Sequence, residues 1–389
     1  MSKKRNRRIA YLCDLSPELD WSYSGGNQRI YIALQENVGD VVVLPQSWGL
    51  AEPLRRLLHR LPEAVNLRLR WRLHLMLGWL VAGPVNKALR RGDFDLVFCA
   101  YSLHSMAGLK LPDHTRLVFT ADATPSVYKS SEVGQSFGSY LSLSRLFDGF
   151  VRRREGRLLA ACDLLLWPSD WQDQGAAKMF PGLESKSNVV PWGANITAPE
   201  KPAVKQLPSD GRPVEFLFVG RDWEAKGGPF VVETLELLQS RGVAVRLTVI
   251  GCEPPVSAPF MEVHPSLDKA NKTENETFLE CFARAHLMFM ASFEAYGFAF
   301  CEAAAYGLPS ICLSSGGVPV IDGKTGFTLP VGATVDNFAD LIDKLLAESN
   351  DYKGISTGSR QYFESTLNWE SWAKTSDRLI KKLSENPPV

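Results

Sequence analysis

Short apolar runs recur along the chain, each closing on polar residues or glycine. In the first half they occupy residues 9–13, 41–44, 95–100, 116–121 and 163–169, and in the second half 214–221, 245–251, 287–291 and 310–313. Continuous apolar runs of this length, bounded by turn residues, read as strands buried on both faces, as in parallel sheets. Between them lie segments with apolar residues at helical spacing: 27–36, a segment ending near 161, 229–240, 276–284, 298–306, 335–348 and 369–383. Strands alternating with helices in both halves predict an α/β protein with two Rossmann-like sheets. The stretch 198–212 is polar and holds Pro199, Pro202 and Pro208, so it reads as a linker between them.

Residues 292–326 concentrate the candidate chemistry. Two carboxylates, Glu294 and Glu302, stand eight positions apart, with Gly297 between them and a helical run after it. That run stops at Gly307-Leu308-Pro309, a C-terminal signal. Glu294 then lies in the loop before the helix, and Glu302 about one turn inside it. The N–H groups at such a helix start form an anion site, here at Gly297, Phe298 and Ala299. Alone, two glutamates eight apart also describe a solvated helix face. A second cationic group precedes them: the run 214–221 ends at Gly220-Arg221, followed by Lys226-Gly227 and a helix. The strand end brings a guanidinium, suited to bidentate phosphate contact, and an ammonium to a common point. A surface salt bridge is the other reading of that pair.

The order Ser-x-x-Glu-x7-Glu-Ala, Gly-x-Pro, Gly316-Gly317 and Asp322-Gly-x-Thr-Gly326, with Gly-Arg and Lys-Gly ahead of it, resembles the donor site of retaining GT-B glycosyltransferases. Among these it is most similar to glycosyltransferase family four. The likeness is specific over 214–330 and looser over 1–213. It implies a GT-B fold: two Rossmann-like domains facing across a cleft, with a C-terminal helix crossing back to the first. The expected division is an acceptor-side domain at 1–200 completed by 369–389, a linker at 201–213, and a nucleotide-sugar domain at 214–368. The implied reaction is sugar transfer from a nucleotide diphosphate sugar with retention. Arg221, Lys226 and the helix start would meet the leaving diphosphate in place of a metal. Glu302 is assigned to ribose hydroxyls and Glu294 to donor-sugar hydroxyls, tasks for ionised acceptors. Residues 261–267 sit where relatives bind the base, which makes His264 and Ser266 donor-side candidates, His264 as a loop residue rather than a catalyst. No cofactor and no metal are expected beyond the donor as co-substrate.

In the first half, Gly25-Gly26 precede a helix where relatives carry a glycine loop near the donor phosphates; an ordinary turn is the alternative. Where many relatives place a histidine facing the sugar, this chain has Asp122, which suits an acceptor of hydroxyl hydrogen bonds, a base, or a cap for the turn that follows. His104 is a second candidate nearby. Trp192 and Asn195 stand where the segment closing the first domain has Asn and Asp in relatives.

Charge adds one contrast. The total balances at 43 basic and 43 acidic residues, but residues 1–200 carry a net of +6 and 201–389 a net of −6. Any anionic surface partner therefore belongs to the first half. Residues 54–91 carry nine basic residues against Glu63 alone, interleaved with Leu and Trp. This suits a helix on an anionic bilayer, or a pair of surface helices whose apolar face is core. A nucleic-acid partner is not expected, because no matching motif accompanies the basic run. The seven cysteines lie mostly in apolar runs without Cys-x-x-Cys spacing, as expected of buried thiols in a reducing cytosol. The apolar run after the basic N-terminus is too short for a signal peptide, and no stretch reaches 18 apolar residues. The expectation is a cytoplasmic enzyme, at the inner face of the plasma membrane if its acceptor is lipid-linked, acting on a carbohydrate or lipid-linked acceptor. The rivals are a nucleotide-sugar epimerase, which would use the donor alone, and a non-catalytic donor-binding protein. A phosphorylase is disfavoured by the lack of a pyridoxal lysine motif.

Overall fold

The computed structural model describes residues 7–60, 76–135, 148–208 and 211–385. The chain forms two compact units, Met1–Trp192 with Trp369–Val389, and Gly193–Asn368. Each is a Rossmann-like α/β unit built on a six-stranded parallel sheet.

In the first unit the strands are β1 (Arg8–Leu12), β2 (Asp40–Val43), β3 (Leu96–Ala100), β4 (Arg116–Thr120), β5 (Leu164–Trp167) and β6 (Ser187–Val189), in the order β2-β1-β3-β4-β5-β6. Alternation along the strands sorts two cores. Ala10, Leu12, Val97, Cys99, Leu117 and Phe119 point to one face and pack with Val81, Val85 and Leu89 of the Trp79–Arg91 helix. Tyr11 and Phe98 point to the other, where their rings stack at 6.3 Å. Trp372 of the Trp369–Glu385 helix meets Phe98 edge-on at 6.0 Å, and Arg7 pairs with Asp377 at 2.7 Å. The C-terminal helix is thus part of the first unit, and burying the Trp372 ring contributes roughly 2–3 kcal/mol.

Of the described ends of the basic segment, the second belongs partly to the core, while Leu54 and Leu57 at the first are exposed. Arg55 and Arg56 pair with Glu52 on their own helix, and the Trp79–Arg91 helix buries one apolar face. Arg68, Arg70, Arg72 and Trp71 lie outside the described residues, so the bilayer reading of 54–91 rests on sequence alone. Among the described residues no helix is long and apolar enough to cross a membrane.

The second unit has β7 (Val214–Val219), β8 (Val245–Ile250), β9 (Met261–His264), β10 (Leu287–Met290), β11 (Ser310–Leu313) and β12 (Gly326–Leu329), in the order β12-β11-β10-β7-β8-β9. Phe216 and Phe289 on adjacent central strands lie 6.3 Å apart. Phe338 of the Val335–Ala347 helix packs on Phe289 at 5.4 Å and on Phe230 of the Gly228–Ser240 helix at 5.1 Å. Part of the polar stretch expected as linker is seated here: buried Lys205 donates to the carbonyls of Phe282 and Ala283 at a helix C-terminus, and its own N–H bonds Ser356. Burial pushes the Lys205 ammonium down to about 8. All seven cysteines are buried and free.

One buried acid sets a pH dependence. Glu155, fully buried in the Asp148–Ala160 helix, accepts the Ser126 N–H with both oxygens at 3.1 and 3.2 Å. Burial raises its carboxyl from 4.5 to about 8. Between those values the unfolded chain has lost the proton and the folded chain keeps it, so stability falls as pH rises. Thermal melts at pH 5 and pH 8 are expected to show a larger drop for the natural chain than for Glu155→Gln; equal drops would mean that the carboxyl is ionised in the fold.

Candidate functional site

In the second sheet the chain runs from β7 through β8 to β9 on one side, then returns to place β10 on the other side of β7. The C-terminal ends of β7 and β10 therefore flank the point where strand order reverses, the position at which α/β sheets bind ligands. Two loops leave that point, residues 220–227 and 291–297.

The loops touch because one residue is glycine. Gly227 has φ 75°, and a Cβ there would stand 2.4 Å from the Ala291 carbonyl oxygen. A Cβ at Gly220 would meet the Lys226 side chain at 2.6 Å, so that glycine leaves room for the lysine stem. Lys226 Nζ then reaches Glu294 Oε1 at 2.5 Å. Ser292 Oγ donates to the same oxygen at 2.8 Å, and neither bond falls on Oε2. Glu294 is only 7% exposed, and its backbone carbonyl takes the Gly317 N–H at 3.1 Å. Arg221 follows Gly220 on the exposed surface and makes no ion pair or hydrogen bond among the described residues. The salt-bridge reading of the Arg221/Lys226 pair thus applies to Lys226 alone, and its partner is the motif glutamate.

Gly297, with φ 91°, starts the Phe298–Ala305 helix. A Cβ there would lie 2.7 Å from the Phe300 ring and 3.6 Å from Glu294 Cγ, so the helix start and the ion pair are neighbours. The N–H groups of the first helical turn, at Phe298 and Ala299, belong to this end. Glu302, buried within the helix, pairs with Lys269 Nζ at 3.1 Å, and Lys269 in turn lies 4.2 Å over the Phe278 ring. His264 is not a loop residue: it ends β9, where Nε2 contacts Glu262 Oε1 at 2.9 Å, and Glu262 pairs with Arg284 at 2.6 Å. A strand position beside a carboxylate–guanidinium pair accounts for this imidazole structurally. Ser266 follows at an exposed position.

The remaining candidates lie in the first unit. Gly25, at φ 84°, starts the Gly26–Asn37 helix. Its turn is pinned by buried Asn27, which donates to Leu15 O at 3.1 Å and Ser22 Oγ at 3.2 Å. Asp122 is half-buried at the end of β4 and accepts the Ala123 N–H at 3.0 Å. Here too strand order reverses, between β1 and β3. Past their ends stand Asp14 and His104, paired at 3.5 Å. Tyr23 donates to Asp14 at 2.7 Å and stacks on Tyr101 at 4.1 Å. Burial first, then the Asp122 carboxylate, pushes the Tyr101 phenol well above its ordinary range. Sequence reasoning missed Asp14, Tyr23, Tyr101 and Lys269. Asp14 had a readable signal, as the carboxylate that ends the first strand. Among the described residues no three His, Cys, Asp or Glu side chains converge as a metal-binding group.

Comparison with known proteins bears on this geometry. Residues 213–348 match the family model of glycosyl transferases group 1. The matched region contains Arg221, Lys226, Glu294 and Glu302. The chain is 24% identical over 327 residues to a D-inositol 3-phosphate glycosyltransferase of Corynebacterium jeikeium, covering 76% of this chain and 74% of the relative. It is 29% identical over 149 residues to a GDP-mannose-dependent alpha-(1-6)-phosphatidylinositol monomannoside mannosyltransferase of Mycobacterium tuberculosis, spanning 38% of this chain and 35% of that protein. In structure it resembles the sucrose-phosphate synthase of Thermosynechococcus elongatus, with a TM-score of 0.65, 15% identity, and coverage of 97% and 99% of the two chains. That likeness bears on the two-domain Rossmann-like fold.

The contact between the two loops is open to a direct test. Gly227→Ala places a Cβ against the Ala291 carbonyl in a left-handed backbone, a strain of roughly 1–3 kcal/mol. Its melting temperature is expected to fall by several degrees in a fluorimetric melt; an unchanged value would mean that the loops part without cost.

Proposed function

We propose that the protein is a retaining glycosyltransferase of the family-four type. It moves a sugar from a nucleotide diphosphate sugar to a carbohydrate or lipid-linked acceptor, without a resident metal ion. The observation that carries the reading is the Lys226–Glu294 pair at the strand reversal of the second sheet, with Arg221, which has no ion-pair partner among the described residues, on the same loop as Lys226. A glycosyltransferase that takes a nucleotide sugar is further supported by the group 1 match over this region and by the transferases it resembles.

The main barrier in such a transfer is the departure of a diphosphate dianion. Arg221 offers a guanidinium whose donors meet no partner among the described residues, and the Lys226 ammonium retains two N–H bonds beyond the one given to Glu294. The start of the Phe298–Ala305 helix adds its partial positive charge. Held at fixed positions, these groups stabilise charge as it develops. Glu294 Oε2 accepts donor-sugar hydroxyls, while Lys226 and Ser292 fix the carboxylate through Oε1. Glu302 accepts the ribose hydroxyls. The glutamates both act on the donor, so the acid–base pairing of glycosidases does not apply. Retention is proposed from the resemblance of the 292–326 motif to the donor site of retaining GT-B enzymes. A lipid-linked acceptor is supported by the phosphatidylinositol monomannoside named for the mycobacterial relative, and it would place the enzyme at the cytoplasmic membrane face.

Thermal-shift screening of nucleotide sugars is expected to find one donor that raises the melting point. With that donor, Arg221→Ala and Glu294→Ala should each lower turnover by roughly 10²–10³-fold. Product NMR should show the donor's anomeric configuration. Full activity in either variant overturns the site assignment. Donor that binds and is neither hydrolysed nor transferred overturns the enzyme reading, and conversion of donor alone to an isomer identifies an epimerase.

A further inference from the structure

Among the described residues three non-glycine positions have left-handed backbone, Tyr23, Ser24 and Tyr101, at φ 51°, 55° and 59°. Tyr23 and Ser24 lie in one loop, and Tyr101 follows β3. Each such residue costs of order 1 kcal/mol and persists only where its surroundings hold it. Here they serve one arrangement. The Tyr101 N–H is fixed to the Thr120 carbonyl at 2.8 Å, which seats the ring past the ends of β3 and β4. The Tyr23 ring then lies flat on it, centroids 4.1 Å apart and planes 10° apart. Trp192 backs Tyr101 at 5.1 Å. The Tyr23 hydroxyl donates to Asp14 at 2.7 Å, and the other oxygen of Asp14 faces His104 at 3.5 Å. The Tyr101 hydroxyl is buried and lacks a hydrogen-bond partner. An orphaned buried hydroxyl costs about 1–3 kcal/mol.

A flat six-membered ring on an aromatic face, with one hydroxyl donating to a buried carboxylate, is also how a pyranose is held. We propose that Tyr23 occupies a sugar-binding site of the first unit as an internal stand-in, and that a neutral pyranose ring takes its place on Tyr101 and Asp14. Three observations favour exchange over a fixed core contact. Tyr23 is half-buried and its neighbours Trp21 and Ser24 are exposed, so the ring has room to leave. Its backbone is strained while it stays. Its departure frees one Asp14 oxygen for a ligand hydroxyl and uncovers Tyr101, whose hydroxyl then gains a partner. A neutral ligand is favoured because the Asp14 and Asp122 carboxylates both stand at this end of the sheet, where a phosphate would meet like charge. Assigning this ring to the acceptor rests on the proposed glycosyl transfer; its binding does not.

The test uses the full chain, the methyl α-pyranosides of glucose, galactose and mannose, and saturation-transfer NMR with titration. UDP and GDP serve as probes of the second unit, and melting curves as the check on folding. Tyr23→Gly removes the stand-in and suits a left-handed backbone. If the stand-in fills the site about nine-tenths of the time, the variant should bind its preferred pyranoside about tenfold tighter than the natural chain. Asp14→Asn and Tyr101→Leu, one removing the carboxylate and the other the platform, should each lose that binding while nucleotide binding is unchanged. A Tyr23→Gly chain that binds sugar no better than the natural one overturns the proposal. So does pyranoside binding that survives both other substitutions, or its absence from every variant. Loss of nucleotide binding throughout, with sugar binding as predicted, would count against the glycosyltransferase reading and leave this site standing.

Discussion

An almost fully buried carboxylate needs a cation, and in the second unit that requirement organises the site. Glu294 leaves β10 and Lys226 leaves the loop after β7, so their pair joins two loops separated by most of a sheet in sequence. Both charges are supported from the backbone side. Gly220 and Gly227 let the lysine approach, Ser292 and Gly317 hold the glutamate loop, and Gly297 turns the chain into the helix that follows. Remove the ammonium and a desolvated carboxylate is left without its partner, which is a far larger penalty than the pair's own net contribution. The pair is therefore best understood as fixing the direction of one carboxylate oxygen rather than as a source of stability.

The two sheets share a plan and differ in what they place at their reversal points. The second gathers cations and a helix start around Glu294, an arrangement of charge that suits the proposed diphosphate. The first gathers aromatic rings, two carboxylates and an imidazole, an environment for hydroxyl groups. The net charges of +6 and −6 for the two halves of the sequence run opposite to these local characters. Bulk charge reports on the surface as a whole, while the polarity of a site is decided by a few side chains at strand ends.

Much of this was legible in the chain. Runs such as Leu96–Ala100 and Val214–Val219 are apolar throughout because both faces of a central parallel strand are covered. The motif in 292–326 announced its loop, helix and strand through glycine and proline positions. The edge strands β6 and β9 were not legible: β6 is three residues long and opens on Ser187 and Asn188, and β9 is four residues long, carrying Glu262 and His264 on a half-exposed edge. The Ser349–Ser365 helix was also missed. It carries Gly354 and Gly358, poor helix formers, yet Gly358 is required because a Cβ there would stand 2.3 Å from the Lys324 carbonyl. Packing overrode propensity. At Tyr101 nothing local signals a left-handed backbone, because the conformation is imposed by β4 and by the rings around it. The same holds for Lys269, whose pairing with Glu302 joins segments 33 residues apart.

The return of the Trp369–Glu385 helix to the first unit has a consequence for biosynthesis. The second unit is one unbroken length of chain, Gly193–Asn368, whereas the first is interrupted by it. During translation the first sheet is made early but lacks Trp372 against Phe98, and Asp377 against Arg7, until the whole second unit has been synthesised. The half translated first is thus the half completed last. For that interval the part of one sheet face around Phe98 stays uncovered, a surface that chaperones would bind and that premature termination would leave permanently exposed.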